Sequence, residues 1–177
     1  MIIDLTHTIT PDTFVYPGTP APAFSPTRTI THDGARETLL QVGSHTGTHM
    51  DAPRHILPDG FGLDKLPASQ FCGRAAVLDV SHLGTGGIVT ADFLQAQNGF
   101  LRTADYVLLY TGWEKKWDTP AFLDEPFPIL DEEAARYLVR CGLKGVGTDA
   151  ISVDALVNKE FSAIMKENEQ LMKQFAK

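Results

Sequence analysis

The chain has 177 residues, 43% hydrophobic and 21% charged, which is ordinary globular usage and enough length to bury a core without disulfide or metal staples. Its formal net charge of −7 argues against nucleic acid as a partner, because phosphate binding asks for a basic face. No apolar run approaches the ~20 residues of a membrane span, the start lacks a signal-peptide pattern, and Cys72 and Cys141 stand too far apart to suggest a disulfide framework. One domain over residues 1–177 in a reduced, cytoplasmic setting is the expectation.

Residues 2–9 mix β-branched and polar side chains and read as an opening strand that Pro11 ends. From there to about residue 27 the prolines at 11, 17, 20, 22 and 26 block regular ladders and predict a loop. Within it, Tyr16-Pro17-Gly18 is a rigid turn carrying an aromatic ring, which serves either as a wall of a substrate pocket or as a packed loop aromatic. Residues 28–32 and 36–46 read as two strands joined by the turn signal His32-Asp33-Gly34. The second of them delivers His45 at its end.

The stretch that follows carries chemistry. His45, His49, Asp51 and His55 fall within eleven residues. In straight extended chain, residues 45 and 49 lie about 13 Å apart at ~3.3 Å per residue, too far for one ion. Gly47 can supply a bend between them, an unbroken helix would turn residue 51 away from 45 and 49, and Pro53 argues against a helix reaching His55. A strand running into a bent loop, with imidazole and carboxylate donors converging on a divalent cation, fits best. Such donors suit zinc, manganese or iron, and the absence of nearby cysteine argues against a closed structural zinc site.

Further along, residues 57–62 form a turn and Leu63 to Gln70 could hold one helical turn. Residues 75–80 are an apolar run of strand length, expected to be buried on both faces. The glycines at 84, 86 and 87 lack a phosphate-loop pattern and read as a connection. Thr90 caps a helix over 91–98 closed by Gly99, and residues 106–111 form a strong strand followed by Gly112-Trp113, a candidate pocket aromatic. Residues 114–130 read as a long loop anchored by Trp117, Phe122 and Phe127. Asp131 caps a helix over 132–141 stopped by Gly142, and residues 145–148 are a short strand. This alternation predicts a mixed α/β core. Residues 159–177 carry an amphipathic helical pattern without catalytic features.

The segment His45-Thr46-Gly47-Thr48-His49-Met50-Asp51-Ala52-Pro53-Arg54-His55 resembles the HxGTHxDxPxH signature of the metal-dependent cyclase family, which includes bacterial kynurenine formamidases and isatin hydrolases. Residues 3–6, the Tyr16-Pro17-Gly18 turn, Leu108 to Trp113 and Gly147 to Asp154 are similar to the family as well, in the same order. The resemblance implies a swivelling β/β/α fold and assembly as homodimers or homotetramers. It makes His45, His49 and Asp51 metal ligands, His55 the acid/base, and Tyr16 and Trp113 candidates for contact with substrate. The implied cofactor is Zn2+ or Mn2+, and the implied reaction is hydrolysis of an amide, formamide or cyclic amide by metal-activated water. The chain departs from the formamidases in two places. Tyr16 stands where they carry tryptophan, and Ile164 stands where they supply a further histidine, so one ion per chain is expected.

Two other readings compete. A non-catalytic small-molecule-binding protein on the same fold is motivated by the missing C-terminal ligands and predicts binding without product. A structural metal site would normally be closed by four Cys or His ligands, which this cluster is not.

Overall fold

The computed structural model describes residues 2–155, and the chain divides after Asp51 into two compact units. The amphipathic helix expected over residues 159–177, with Ile164, lies outside the described residues.

In the first unit, β1 (Ala23–Arg28) and β2 (Glu37–Gln41) form a two-stranded antiparallel ribbon with α1 (Ile30–Asp33) at its turn. Phe24 lies opposite Leu40, and the register shifts between Pro26 and Arg28. The first strand thus starts five residues before the predicted one and includes a proline. Pro26 is accommodated because each strand of a two-stranded ribbon is an edge and the ladder is already irregular there. Thr29 caps α1, its hydroxyl accepting from the His32 amide at 3.4 Å, and Gly34 ends it at φ 73°.

Residues 2–9 form no ladder among the described residues, contrary to the predicted opening strand. The reason is local. Asp4 Oδ1 accepts from the Thr6 amide at 2.9 Å and from the Thr6 hydroxyl at 2.7 Å, an Asp-centred turn that competes with extended pairing. The same pair of hydrogen bonds holds the Asp4 carboxyl below its usual range.

The second unit is built on a parallel sheet. In chain order its elements are β3 (Ala75–Asp79), β4 (Ile88–Val89), α2 (Ala91–Ala96), α3 (Asn98–Leu101), β5 (Tyr106–Tyr110), α4 (Ala121–Asp124), β6 (Ile129–Leu130), α5 (Glu132–Arg140) and β7 (Gly145–Thr148). The strands order as β3-β5-β7, all parallel, with a separate parallel pair β4-β6. Strands alternating with helices bear out the mixed α/β expectation. Val107 and Leu109 of β5 are buried while Tyr106, Leu108 and Tyr110 are half-buried, the two-residue period of a strand with one face on the core.

That core joins Leu78, Val107 and Leu109 to Leu94 of α2, Leu101 of α3, and Ala134 and Leu138 of α5. Burying the leucine and valine side chains among them contributes roughly 1.5–3 kcal/mol each. Among the described residues, α2, α3 and α5 pack against one face of the sheet. Residues 75–80 are therefore not buried on both faces as predicted: Leu78 and Val80 are buried, but Val77 is 65% exposed, on an edge strand of the sheet.

Capping residues set the helix starts as the sequence indicates. Thr90 accepts from the Phe93 amide at 3.3 Å, and Asp131 Oδ1 accepts from the Ala134 amide at 2.7 Å. The first of these helices stops early, however. Gln97 leaves helical geometry at φ −92°, ψ 7°, and Gly99 falls inside α3 rather than closing α2. Gly142, at φ 69°, ends α5 where expected.

The predicted long loop after β5 contains a 3-10 turn (Trp113–Lys116), α4 and β6. Its aromatic anchors hold. Trp113 Nε1 donates to the Phe122 carbonyl at 3.0 Å, and the Trp113 and Phe127 rings meet edge to face, as do Trp117 and Phe122. Two further 3-10 turns, Leu63–Lys65 and Ala68–Phe71, occupy the stretch read as one helical turn. No helix among the described residues is long and apolar enough to cross a membrane.

Candidate metal centre

After Gln41 the chain leaves the β1–β2 ribbon and folds back on itself. The Thr46 amide donates to the Gly43 carbonyl at 3.2 Å, closing a turn that contains His45. Gly47 follows at φ 63°, a left-handed conformation that a side chain would strain. A Cβ there would also stand 3.1 Å from Ile9 Cγ1. The His7 amide donates to the Thr48 hydroxyl at 3.1 Å, so the N-terminal segment braces the same loop. The bend that extended geometry lacks is thus made at Gly47.

Its effect is to bring three donors together. His45 Nδ1 lies 3.2 Å from His49 Nε2 and 2.8 Å from Asp51 Oδ1, and His49 Nε2 lies 3.7 Å from Asp51 Oδ1. Two nitrogens and a carboxylate oxygen pointing at one place is the arrangement a cation holds together. Ligands bound to zinc at roughly 2.0–2.1 Å with tetrahedral angles stand roughly 3.3–3.4 Å apart, and the three observed separations straddle that value.

The tautomer agrees. His49 Nδ1 lies 2.8 Å from the Gly47 carbonyl, which can only accept, so Nδ1 carries the proton and Nε2 presents its lone pair toward the other two donors. The side chains of His45, His49 and Asp51 are 39%, 30% and 45% exposed, so the group is open to solvent rather than closed in the manner of a structural site. Among the described residues it is the group of histidine, cysteine and acidic side chains whose donor atoms converge closely enough for a metal ion. Beside it, Thr46 is 3% exposed, and its hydroxyl lacks a hydrogen-bond partner.

His55 belongs to the second unit. It ends the 3-10 turn Pro53–His55, where its amide donates to the Ala52 carbonyl at 2.8 Å. As expected, no helix runs through Pro53 to His55; Pro53 instead opens this short turn at its first position, where the missing N–H costs nothing. The His55 side chain is exposed.

Residues 3–155 match the "Putative cyclase" family model. The chain belongs to the cyclase family. A kynurenine formamidase from Salinibacter ruber is 30% identical over 173 residues, covering 92% of this chain and 74% of that protein. Among solved structures, isatin hydrolase A from Labrenzia aggregata superposes with a TM-score of 0.76 at 25% identity, covering 99% of this chain and 77% of that one. A protein from Bacillus stearothermophilus described as a predicted metal-dependent hydrolase gives a TM-score of 0.67 at 25% identity, over 92% and 75% of the two chains.

In this cyclase-family chain the two candidate substrate aromatics differ in setting. Tyr16 is 50% exposed on a turn closed by the Thr19 amide and the Tyr16 carbonyl, with Gly18 at φ 90°. Trp113 is 3% exposed, its indole N–H is taken by Phe122, and Lys116 Nζ sits 3.6 Å above its ring. The sequence reading missed the part played by the Gly47 carbonyl, which orients His49. A backbone acceptor leaves no residue-type signal, although the glycine that exposes it was recognised as the bend.

Proposed function

We propose that this chain hydrolyses carbon–nitrogen bonds of amides, formamides or cyclic amides, with one divalent ion, Zn2+ or Mn2+, held by His45, His49 and Asp51. The observation that carries the reading is the convergence of those three donors on the Gly47 bend. It is supported by relatives whose names denote a formamidase, an isatin hydrolase and a metal-dependent hydrolase.

When bound, such an ion acidifies water toward neutral pKa and polarises a carbonyl oxygen. His49 contributes a nitrogen whose tautomer is fixed by Gly47. Asp51 contributes negative charge that offsets the cation. An imidazole nitrogen of His55 takes a proton from the attacking water and returns it to the departing nitrogen, which would otherwise leave as an unstable amide anion. Tyr16 offers an exposed aromatic face for a flat substrate. Assembly into dimers or tetramers is part of the same proposal, supported by apolar side chains left in solvent such as Leu39 and Leu40, 61% and 63% exposed.

The test is a panel of N-formyl aromatic amines, isatin-type lactams and cyclic imides offered to metal-loaded protein. Multiple turnovers on at least one class are expected, abolished by chelation and restored by Zn2+ or Mn2+. Saturable binding of these compounds by fully loaded protein, with no product, would establish the non-catalytic binder instead.

A further inference from the structure

Space, not backbone conformation, makes residue 43 a glycine. The φ of Gly43 lies outside the left-handed region, so an alanine there meets no backbone strain. A Cβ at Gly43 would instead stand 3.2 Å from Thr19 Cγ2 and 3.3 Å from Thr46 Oγ1, closer than a Cβ normally packs. The Thr19 methyl therefore lies directly against the backbone of residue 43.

That contact joins two turns of the first unit. On one side, the Gly43 carbonyl accepts from the Thr46 amide at 3.2 Å and closes the turn that holds His45. On the other, the Tyr16 carbonyl accepts from the Thr19 amide at 2.9 Å across Pro17 and Gly18. Proline locks its own φ and Gly18 stands at φ 90°, the residue pattern of a type II turn. Such a turn is stiff, so a displacement of Thr19 at one end carries to Tyr16 at the other. Residues 7 and 9 brace the metal loop beyond His45, at Thr48 and Gly47. Thr19 braces it before His45, at Gly43.

We propose that Gly43 is a positioning residue for substrate recognition. By leaving room for Thr19, it seats the Tyr16 turn on the loop that carries His45, and so sets where the exposed Tyr16 ring stands relative to the ion. The inference rests on the hydrolase reading above, in which Tyr16 offers its face to a flat substrate. It makes recognition depend on a residue with no side chain of its own.

A methyl added at residue 43 must displace one of its two neighbours. Thr46 is 3% exposed, its amide is bonded to Gly43, and it is fixed in chain between His45 and the Gly47 bend. Thr19 is only half-buried and ends its turn. Thr19 is therefore the one that yields, and Tyr16 moves with it while the three metal donors keep their places.

Two readouts test this on Gly43→Ala and on Gly43→Ala/Thr19→Ser, in which serine deletes the methyl that the new Cβ meets. The first needs neither metal nor substrate. In protein labelled with 3-fluorotyrosine the four tyrosines give fluorine resonances, and Tyr16→Phe identifies that of Tyr16. Gly43→Ala should shift the Tyr16 resonance and leave those of Tyr106, Tyr110 and Tyr137 in place, and the double variant should bring it back. The second is hydrolysis by metal-loaded protein of N-formylaniline and isatin, whose rings are flat, and of N-formylcyclohexylamine, whose ring is not. In Gly43→Ala, KM for the flat compound turned over should rise about 3- to 10-fold with kcat and metal content unchanged, the pattern of lost uniform binding. KM for the cyclohexyl compound should stay where it is. An unmoved Tyr16 resonance in folded Gly43→Ala overturns the seat, and a shifted resonance with unchanged KM for the flat compounds overturns its part in recognition. A wild type inactive on all three compounds counts against the hydrolase reading, and the fluorine spectra then uphold or overturn the seat alone. Should Gly43→Ala fail to fold, Thr19→Ser carries the test: loss of the methyl should shift the Tyr16 resonance, and an unmoved one overturns the seat.

Discussion

His49→Ala should yield a folded protein that no longer retains a stoichiometric divalent metal and no longer hydrolyses substrate. His49 is one of the three converging donors, 3.2 Å from His45 Nδ1 and 3.7 Å from Asp51 Oδ1. Its nitrogen is aimed by the hydrogen bond to Gly47, so no rotation of a neighbouring side chain replaces it. Loss of a group that merely orients a ligand costs roughly 10–100-fold in affinity or activity, and loss of the ligand itself should exceed that. The fold should survive, because the His49 side chain is 30% exposed and belongs to no buried cluster. Asp51→Asn offers the finer comparison. It keeps the shape, removes the charge, and should weaken metal binding while circular dichroism stays that of the wild type. Elemental analysis alongside the turnover assay reads both variants.

His55→Gln should behave in the opposite way. Metal content stays at the wild-type level while kcat falls by about 10²–10⁴-fold, the contribution usual for a positioned acid or base. The reason lies in the division of labour within the segment. Residues 45, 49 and 51 converge around the Gly47 bend, whereas His55 ends a separate 3-10 turn that Pro53 starts. Glutamine can hydrogen-bond but cannot cycle a proton near neutral pH. Loss of metal together with turnover in His55→Gln would instead make His55 a ligand and refute the assignment.

Much of the site was legible in the sequence because its donors are local. His45, His49 and Asp51 span seven residues, so one glycine-centred bend is enough to assemble them, and glycine announces bends. Strands 106–110 and 145–148 and the helix over 132–140 were legible for a similar reason, since apolar runs, the Asp131 cap and the Gly142 stop are each encoded where they act.

What failed depended on competition or on distant chain. Residues 2–9 have a strand's composition, but the Asp4–Thr6 turn prevails over it. Pro26 looked incompatible with a ladder because only the fold reveals that its strand lies in a two-stranded ribbon. The one-sided burial of residues 75–79 follows from where the helices pack, which no local pattern contains. The hydrogen bonds from Thr111 to Asp149 were invisible for the same reason, since β5 and β7 bring together residues 38 positions apart in sequence.

The most direct test is to strip the protein of metal and titrate Zn2+ or Mn2+ back while following hydrolysis of whichever substrate class is turned over. Activity should rise in proportion to added metal and reach its plateau at one ion per chain, and Asp51→Asn should remain inactive at the same plateau concentration. Full turnover by metal-free protein, or a plateau reached only at two ions per chain, would contradict a single ion held by His45, His49 and Asp51.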